Sequence, residues 1–221
     1  MYSRSLSVRT GFASFSPPRQ ASAAEVRRRV EAGEWVIDLR DRIAFAAGFL
    51  PGSVSFPLEG SFASYLGWTV PWGAPLTLLG ETPEQVAQAQ RELARIWADR
   101  PAAAASGGPP RWAAGAPLVS LRLAKYDDLA AAMTAGRPVV LDVRRRLEWA
   151  AGHIAGARHI PLHELSGRAG ELPPGEVWVH CHAGYRAIVA ASLLVARGRQ
   201  VVSVDDEFAN AAAAGLPLQA A

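Results

Sequence analysis

The sequence predicts an α/β protein made of two similar units, each a parallel sheet with helices on both faces. Two observations predict this class. Short apolar segments alternate with helical segments along the chain, which is the order typical of parallel sheets. The chain also repeats itself, because residues 36–40 (Val-Ile-Asp-Leu-Arg) return as residues 140–144 (Val-Leu-Asp-Val-Arg). Its 221 residues suffice for two domains of about 100 residues each.

The repeat keeps one offset, 104 positions, over residues 36–58. The recurrence has no gap, and Asp38, Arg40, Gly48, Gly52 and Pro57 all return at that offset as Asp142, Arg144, Gly152, Gly156 and Pro161. Beyond Pro57 the first copy is three residues longer, which aligns residues 76–79 with residues 177–180. Such an echo indicates two copies of one unit.

Each copy predicts the same order of elements. Residues 22–25 (Ser-Ala-Ala-Glu) form a capping box that predicts a helix over residues 26–32, with a counterpart over residues 126–135. An apolar strand ending in Asp-x-Arg follows, and then a short helix, a Gly-x-x-x-Gly turn and a brief second strand. A third apolar strand leads through a loop into a long helix, over residues 84–98 or 186–196.

The predicted domain boundaries follow from composition. Residues 1–20 are expected to be a disordered tail or the remnant of a linker, and residues 21–100 form the first domain. Residues 101–118 are rich in Ala, Gly and Pro and are expected to be a linker. Residues 119–221 form the second domain.

Composition narrows the function classes. The net charge is +3, and the arginine clusters at residues 27–29 and 144–146 are not interleaved with aromatic residues, so nucleic acid is not an expected partner. The longest apolar runs, such as residues 187–196, are too short to cross a membrane. A single cysteine excludes an internal disulfide and favours a reducing, cytoplasmic location.

Cys181 follows an apolar strand and precedes a helix, and this position favours chemistry. A loop at a helix N-terminus presents amide groups and partial positive charge, which lower the pKa of a thiol and hold anions. Gly184 permits a tight turn, and Arg186 is a candidate for a fixed positive charge. A lone cysteine is often only a small buried hydrophobic residue, but the strand–Cys–Gly–Arg–helix context favours a functional thiol.

The second copy resembles the rhodanese (sulfurtransferase) family. The resemblance is carried by Leu-Asp-Val-Arg at 141–144, Gly-His-Ile-x-Gly-Ala at 152–157 and Cys-x-x-Gly-x-Arg at 181–186. It implies that Cys181 accepts sulfane sulfur as a persulfide, from thiosulfate or a low-molecular-weight persulfide, and passes it to a thiol or cyanide. It also implies that the loop backbone binds the substrate, through His182, Ala183, Gly184, Tyr185 and Arg186. No cofactor is implied.

The loop from Cys181 to Arg186 has six residues, as in sulfur-handling members of the family. A related phosphatase type has a longer loop that admits a tetrahedral phosphate, so phosphatase or arsenate-reductase activity is a minor alternative. Opposite Cys181 the first copy has Gly80, followed by Glu81, whose charge would repel an anion. The first domain is therefore expected to be catalytically silent and to shape the cleft or recognise a partner.

The residues around Cys181 are also similar to the tandem rhodanese part of bacterial proteins that carry a metallo-β-lactamase-fold hydrolase or persulfide dioxygenase domain. This likeness makes such a protein or domain a candidate partner, and a sulfur-relay or binding module the alternative function. His180 and His182 flank Cys181, but on a strand they would face away from it, so no metal site is expected. Asp142 and Arg144 are expected to be structural, since the silent copy repeats them.

Overall fold

The computed structural model describes residues 16–96, 98 and 100–220, which form two parallel sheets with flanking helices. The α/β class is therefore confirmed. The first half contains α1 (Ala23–Glu31), β1 (Trp35–Asp38), α2 (Arg42–Ala47), β2 (Val54–Ser55), α3 (Phe62–Thr69), β3 (Leu76–Gly80), α4 (Pro83–Ala94), β4 (Ala103–Ser106) and α5 (Pro109–Ala113). Its strands lie in the order β2-β1-β3-β4, all parallel.

The second half contains a larger sheet. Its elements are β5 (Arg122–Ala124), α6 (Tyr126–Ala135), β6 (Val139–Asp142), α7 (Arg146–Ala151), β7 (His153–Ile154), β8 (Arg158–His159), α8 (Leu162–Arg168), a 3₁₀ turn (Ala169–Glu171), β9 (Val177–His180), α9 (Tyr185–Val195), β10 (Val201–Val204), α10 (Asn210–Ala213) and β11 (Leu218–Gln219). The parallel order is β5-β10-β9-β6-β8, and β11 pairs antiparallel with β7.

The two sheets share one strand order. From one edge inward, β2, β1, β3 and β4 correspond to β8, β6, β9 and β10. The strand β5 extends the second sheet beside β10, and a single parallel bridge between Gln20 and Ala104 has the equivalent place beside β4. The sheet order thus repeats along with the sequence pattern.

The prediction of a linker over residues 101–118 is wrong for its central part, which holds β4 and α5. β4 pairs with β3 along its length, from Thr77 with Ala103 to Gly80 with Ser106. The three alanines of β4 are buried, and proline at the first position of a helix is favourable, so this composition does not require a flexible segment.

The predicted tail over residues 1–20 is also too long, because Gln20 forms a parallel bridge with Ala104 and the amide of the next residue, Ala21, donates to the carbonyl of Ala104 at 2.7 Å. The amide of Ala104 in turn donates to the carbonyl of Arg19 at 2.9 Å, which ties these residues to β4. Residues 1–15 lie outside the described part of the chain.

The helix α9 lies between the two halves. Residues 186–194 of this helix are all buried, because α9 packs on β9 and β10 of its own sheet and on β2 of the first half. The hydroxyl of Ser192 accepts a hydrogen bond from the amide of Ser55 at 3.0 Å. One hydrophobic cluster accordingly contains residues of both halves, among them Ile37 and Ile188. Within the described residues, no helix is long and apolar enough to span a membrane.

Candidate functional site

Cys181 stands at the carboxyl end of a central strand. β9 lies between β6 and β10, and all four of its residues are buried. Cys181 follows directly and is 2% exposed, and the loop then turns into α9 at Tyr185. The crevice beyond the carboxyl ends of parallel strands is the usual ligand site of such sheets, so Cys181 has the position predicted for a reactive thiol.

The loop presents backbone amides that have no protein partner. Among the described residues, none of the amide groups of residues 182–187 donates a hydrogen bond to the protein. The first backbone bond of the helix runs from the amide of Ile188 to the carbonyl of Gly184 at 3.0 Å. Free amides at a helix N-terminus carry partial positive charge and bind anions.

Gly184 takes a backbone conformation that favours glycine, with φ at +87°. A Cβ atom at this position would collide with the carboxylate of Asp205 and lie 3.2 Å from Nε of Arg42. The loop glycine is therefore packed against a charged pair whose members come from the two halves of the chain.

Tyr126 contacts the first residue of the loop, and this contact was not predicted from the sequence. Its buried hydroxyl donates to the carbonyl of Cys181 at 3.2 Å and lies 3.2 Å from Nδ1 of His180. Burial raises the pKa of Tyr126, so the hydroxyl keeps its proton. At the 104-residue offset the first half has Ser22 in place of Tyr126, and a comparison of the two copies could have revealed this difference.

His180 is fully buried and lies between Tyr126 and Asp142. Burial lowers the pKa of His180 to about 4, although the nearby Asp142 carboxylate acts in the opposite direction. Its Nε2 atom lies 3.7 Å from Oδ2 of Asp142 and has no hydrogen-bond partner in the described part of the chain. His180 is therefore uncharged at neutral pH.

Arg186 forms a bidentate ion pair rather than standing free beside the loop. Its two terminal nitrogens each lie 2.7 Å from an oxygen of Glu148, and the residue is 7% exposed. Burial acts to raise the pKa of Glu148, but hydrogen bonds from Arg186 and Arg145 outweigh it and lower that pKa to about 2. Glu148 thus offsets much of the positive charge that the sequence assigned to the loop through Arg186.

Asp142 and Arg144 form a buried pair within the second half. Nε of Arg144 lies 3.0 and 2.9 Å from the two carboxylate oxygens, and a terminal nitrogen donates to the carbonyl of Gly152 at 2.7 Å. Asp38 and Arg40 repeat this pair in the first half, with Nε at 3.0 and 3.1 Å from the oxygens. The half without a cysteine has the same arrangement, which agrees with the structural role expected for it.

The remaining loop residues face different surroundings. His182 exposes 67% of its side chain, and its carbonyl accepts a hydrogen bond from the amide of Phe208 at 2.8 Å. Ala183 is half-buried. Tyr185 is half-buried, and its hydroxyl donates to the carbonyl of Pro57 in the first half at 2.8 Å.

In the first half, the loop between β3 and α4 corresponds to the Cys181 loop, and the side chain of Gln85 occupies it. Gly80 stands where the second half has Cys181, and the next amide, of Glu81, donates to the side-chain oxygen of Gln85 at 2.7 Å. A Cβ atom on Gly80 would come within 2.9 Å of Val86. This loop therefore has neither a thiol nor space beside Gly80. Among the described residues, no three His, Cys, Asp or Glu side chains are placed to hold a metal ion.

Residues 125–214 match the family model described as "Rhodanese-like domain". The matched segment contains the Cys181 loop together with Tyr126, Glu148 and Asp205. The second half of the chain therefore has the sequence pattern of a rhodanese-like domain in addition to its parallel α/β fold.

Two curated proteins are similar to parts of the chain. The HTH-type transcriptional regulator Rv0324 of Mycobacterium tuberculosis is 37% identical over 87 residues, which are 38% of this chain and 38% of that protein. The putative sulfur carrier protein YrkF of Bacillus subtilis is 40% identical over 67 residues, which are 29% of this chain and 36% of that protein. The similarity thus spans less than half the length of either relative.

Two solved structures are similar to this chain, both with TM-scores below 0.5. A thiosulfate sulfurtransferase from Pseudomonas aeruginosa is 22% identical, with a TM-score of 0.42, and the alignment covers 92% of this chain and 41% of that chain. A rhodanese-related protein from Thermoplasma volcanium is 29% identical, with a TM-score of 0.41, over 44% of this chain and 97% of that chain.

Proposed function

We propose that this chain is a sulfurtransferase that carries sulfane sulfur as a persulfide on Cys181. The observation that carries the proposal is the placement of this thiol at the start of a loop whose amides, from residue 182 to residue 187, are free to bind an anion. The loop lies within the segment that matches the rhodanese-like domain. A thiolate held by amides at a helix N-terminus is an activated nucleophile.

The reaction consists of two displacements at sulfur. The Cys181 thiolate attacks the outer sulfur of thiosulfate, a new S–S bond forms, and the old S–S bond breaks to release sulfite with the electron pair. With glutathione persulfide the leaving group is the glutathione thiolate. In the second step cyanide or an acceptor thiolate attacks the outer sulfur of the persulfide, which yields thiocyanate or a new persulfide and restores the Cys181 thiolate.

The chain provides a site for the anion but no second thiol. Free amides suit the terminal sulfur of the persulfide and the oxygens of the donor. Cys181 is the one cysteine of the chain, so the acceptor must come from outside it. We therefore assign Cys181 as the nucleophile and the backbone of residues 182–186 as the cradle, with Arg186 acting next to it through its pair with Glu148.

We further infer that the first half is a second rhodanese-like domain without catalytic chemistry. The shared strand order, the repeated Asp38–Arg40 pair and the closed loop at Gly80 support this inference. We infer that the first half covers α9 and contacts the Cys181 loop. The contacts are made by Pro57, which accepts from Tyr185, and by Arg42 of α2, which lies beside Gly184.

A sulfur-relay module is the second candidate function. The sequence similarity to a protein named as a putative sulfur carrier favours this function. The resemblance of the residues around Cys181 to tandem rhodanese parts of larger bacterial proteins makes a metallo-β-lactamase-fold protein the candidate partner. A relay would deliver sulfur to a protein and turn over poorly with thiosulfate and cyanide alone. Rapid thiocyanate formation would favour the free-standing enzyme.

Mass spectrometry of the intact protein tests the proposal. Incubation with thiosulfate or glutathione persulfide is expected to add about 32 Da, one sulfur atom, to Cys181. Cyanide should remove the added mass, and the Cys181→Ser variant should not acquire it. If neither donor adds sulfur to folded protein, the sulfur-carrier function is wrong.

A further inference from the structure

A residue of the first half lies against the glycine of the Cys181 loop. Arg42 begins α2, and its Nε atom donates to Oδ1 of Asp205 at 2.5 Å. Asp205 follows β10 in the second half. A Cβ atom built on Gly184 would lie 3.3 Å from the Asp205 carboxyl carbon and 3.2 Å from Nε of Arg42. The Arg42–Asp205 pair therefore packs directly on the turn that leads into α9.

Asp205 is an unfavourable neighbour for an anion-binding loop. Its side chain is 13% exposed, so solvent screens its charge only weakly. Lys125 contacts the backbone carbonyl of Asp205 rather than its carboxylate. Within the described part of the chain, Arg42 is the cation that pairs with this carboxylate, and it comes from the half that has no cysteine.

Arg42 has a second, weaker acidic neighbour. A terminal nitrogen of Arg42 lies 3.7 Å from an oxygen of Glu59, whose side chain is 50% exposed. The side chain of Arg42 itself is 32% exposed, so its outer edge reaches solvent beside the loop. Without Arg42, the Asp205 carboxylate, which is only 13% exposed, would be left without a cation beside the loop glycine Gly184.

We propose that Arg42 is a specificity-determining residue that neutralises Asp205 and thereby allows the Cys181 loop to bind doubly charged sulfur donors. This inference rests on the proposed sulfur transfer and assigns the first half a role in it. Arg42 acts through Asp205 and Gly184, and it takes no part in the displacement at sulfur. Its removal should therefore raise KM according to the charge of the donor and leave kcat nearly unchanged.

Two donors that differ by one charge test this proposal. Thiosulfate is a dianion, and methanethiosulfonate has a methyl group in place of one oxygen and is a monoanion. Both transfer a sulfur to the thiolate, and they release sulfite and methanesulfinate respectively. In Arg42→Gln, KM for thiosulfate should rise about tenfold and KM for methanethiosulfonate roughly threefold, and both increases should shrink in high salt.

A double variant separates a charge effect from simple damage to the contact between the halves. Asp205→Asn combined with Arg42→Gln should return KM for thiosulfate to near the wild-type value, because no carboxylate is then left unpaired. Glu59→Gln in the same background should restore much less. Arg42→Lys should be intermediate, since it keeps the charge and loses the Nε geometry. Arg95→Gln, at an exposed arginine paired with Glu92, is the matched control.

The outcomes distinguish this inference from the proposed function. If the wild-type chain acquires no sulfur on Cys181, the proposed function fails. If the wild type turns over but Arg42→Gln shows equal changes in KM for both donors, or if Asp205→Asn does not restore KM, only the role of Arg42 is overturned. If Arg42→Gln does not fold, the single variant Asp205→Asn still decides, because freeing Arg42 should lower KM for thiosulfate more than KM for methanethiosulfonate.

Discussion

The hydroxyl of Tyr126 donates a hydrogen bond to the carbonyl of Cys181 at 3.2 Å, and so joins the first residue of α6 to the residue that carries the thiol. Both ends of this bond are buried. The bond holds the backbone at the start of the loop. Tyr126 is therefore a positioning residue for the proposed nucleophile.

Tyr126→Phe should lower kcat for sulfur transfer about fivefold and destabilise the fold by about 1 kcal/mol, because one buried hydrogen bond is lost. Steady-state kinetics and chemical denaturation measure the two effects. Thr69→Val is a matched control, since it removes a hydroxyl that donates to the carbonyl of Tyr65 in the first half. The positioning role is wrong if both variants reduce kcat equally.

Gly184→Ala should greatly reduce persulfide formation on Cys181. The φ of +87° is strained for alanine, and the added methyl group would displace the Asp205 carboxylate. We expect a destabilisation of about 1–3 kcal/mol. Gly136→Ala is the control, because that glycine has an extended φ of −169° and open space around it. Normal sulfur loading of folded Gly184→Ala would contradict the geometry described for the loop.

Protonation of His180 should destabilise the protein in mild acid. The folded-state pKa of about 4 lies below the unfolded value of 6.5, so the unfolded state binds the proton first as the pH falls. The stability contributed by neutral His180 is complete above pH 6.5 and is lost as the pH falls towards 4. The free energy of unfolding should drop less over this range in His180→Gln. Parallel curves for the two proteins between pH 7 and pH 4 would argue against the prediction.

The Glu148 carboxylate should have its effect at lower pH. Its folded-state pKa of about 2 lies below the ordinary value of 4.5, so its contribution is present above 4.5 and is lost as the pH falls towards 2. Because Glu148 is partly exposed, we expect Glu148→Gln to cost only about 1 kcal/mol at pH 7. Chemical denaturation at pH 7 and pH 3 should show that this difference shrinks in acid, and an unchanged difference would contradict it.

Local sequence patterns predicted the strand and the helix on either side of the Cys181 loop. The predicted helix over residues 186–196 is observed as Tyr185–Val195, and the apolar strand before Cys181 is observed as Val177–His180. Ser22 also caps the first helix, accepting from the amide of Glu25 at 3.3 Å. These features depend on residues that are close in sequence, so periodicity and capping signals reveal them.

The contacts around the loop could not be predicted in the same way. Arg42 and Asp205 are brought together by the packing of the two halves, and Tyr126 reaches Cys181 from the opposite end of its domain sequence. No local pattern marks such pairs. The prediction of a linker over residues 101–118 failed for a related reason. The strand β4 has the sequence Ala-Ala-Ala-Ser, which has low β-propensity, and its strand conformation depends on pairing with β3.

The burial of α9 between two sheets has a consequence for dividing the protein. A fragment that begins after α5 would keep the thiol and its loop but would expose the face of α9 that packs on β2. The buried residues of α9 are mostly aliphatic, and the hydroxyl of Ser192 would lose the amide of Ser55. The proposed sulfur chemistry depends on residues of the second half, whereas the burial of the helix that follows the Cys181 loop depends on both halves.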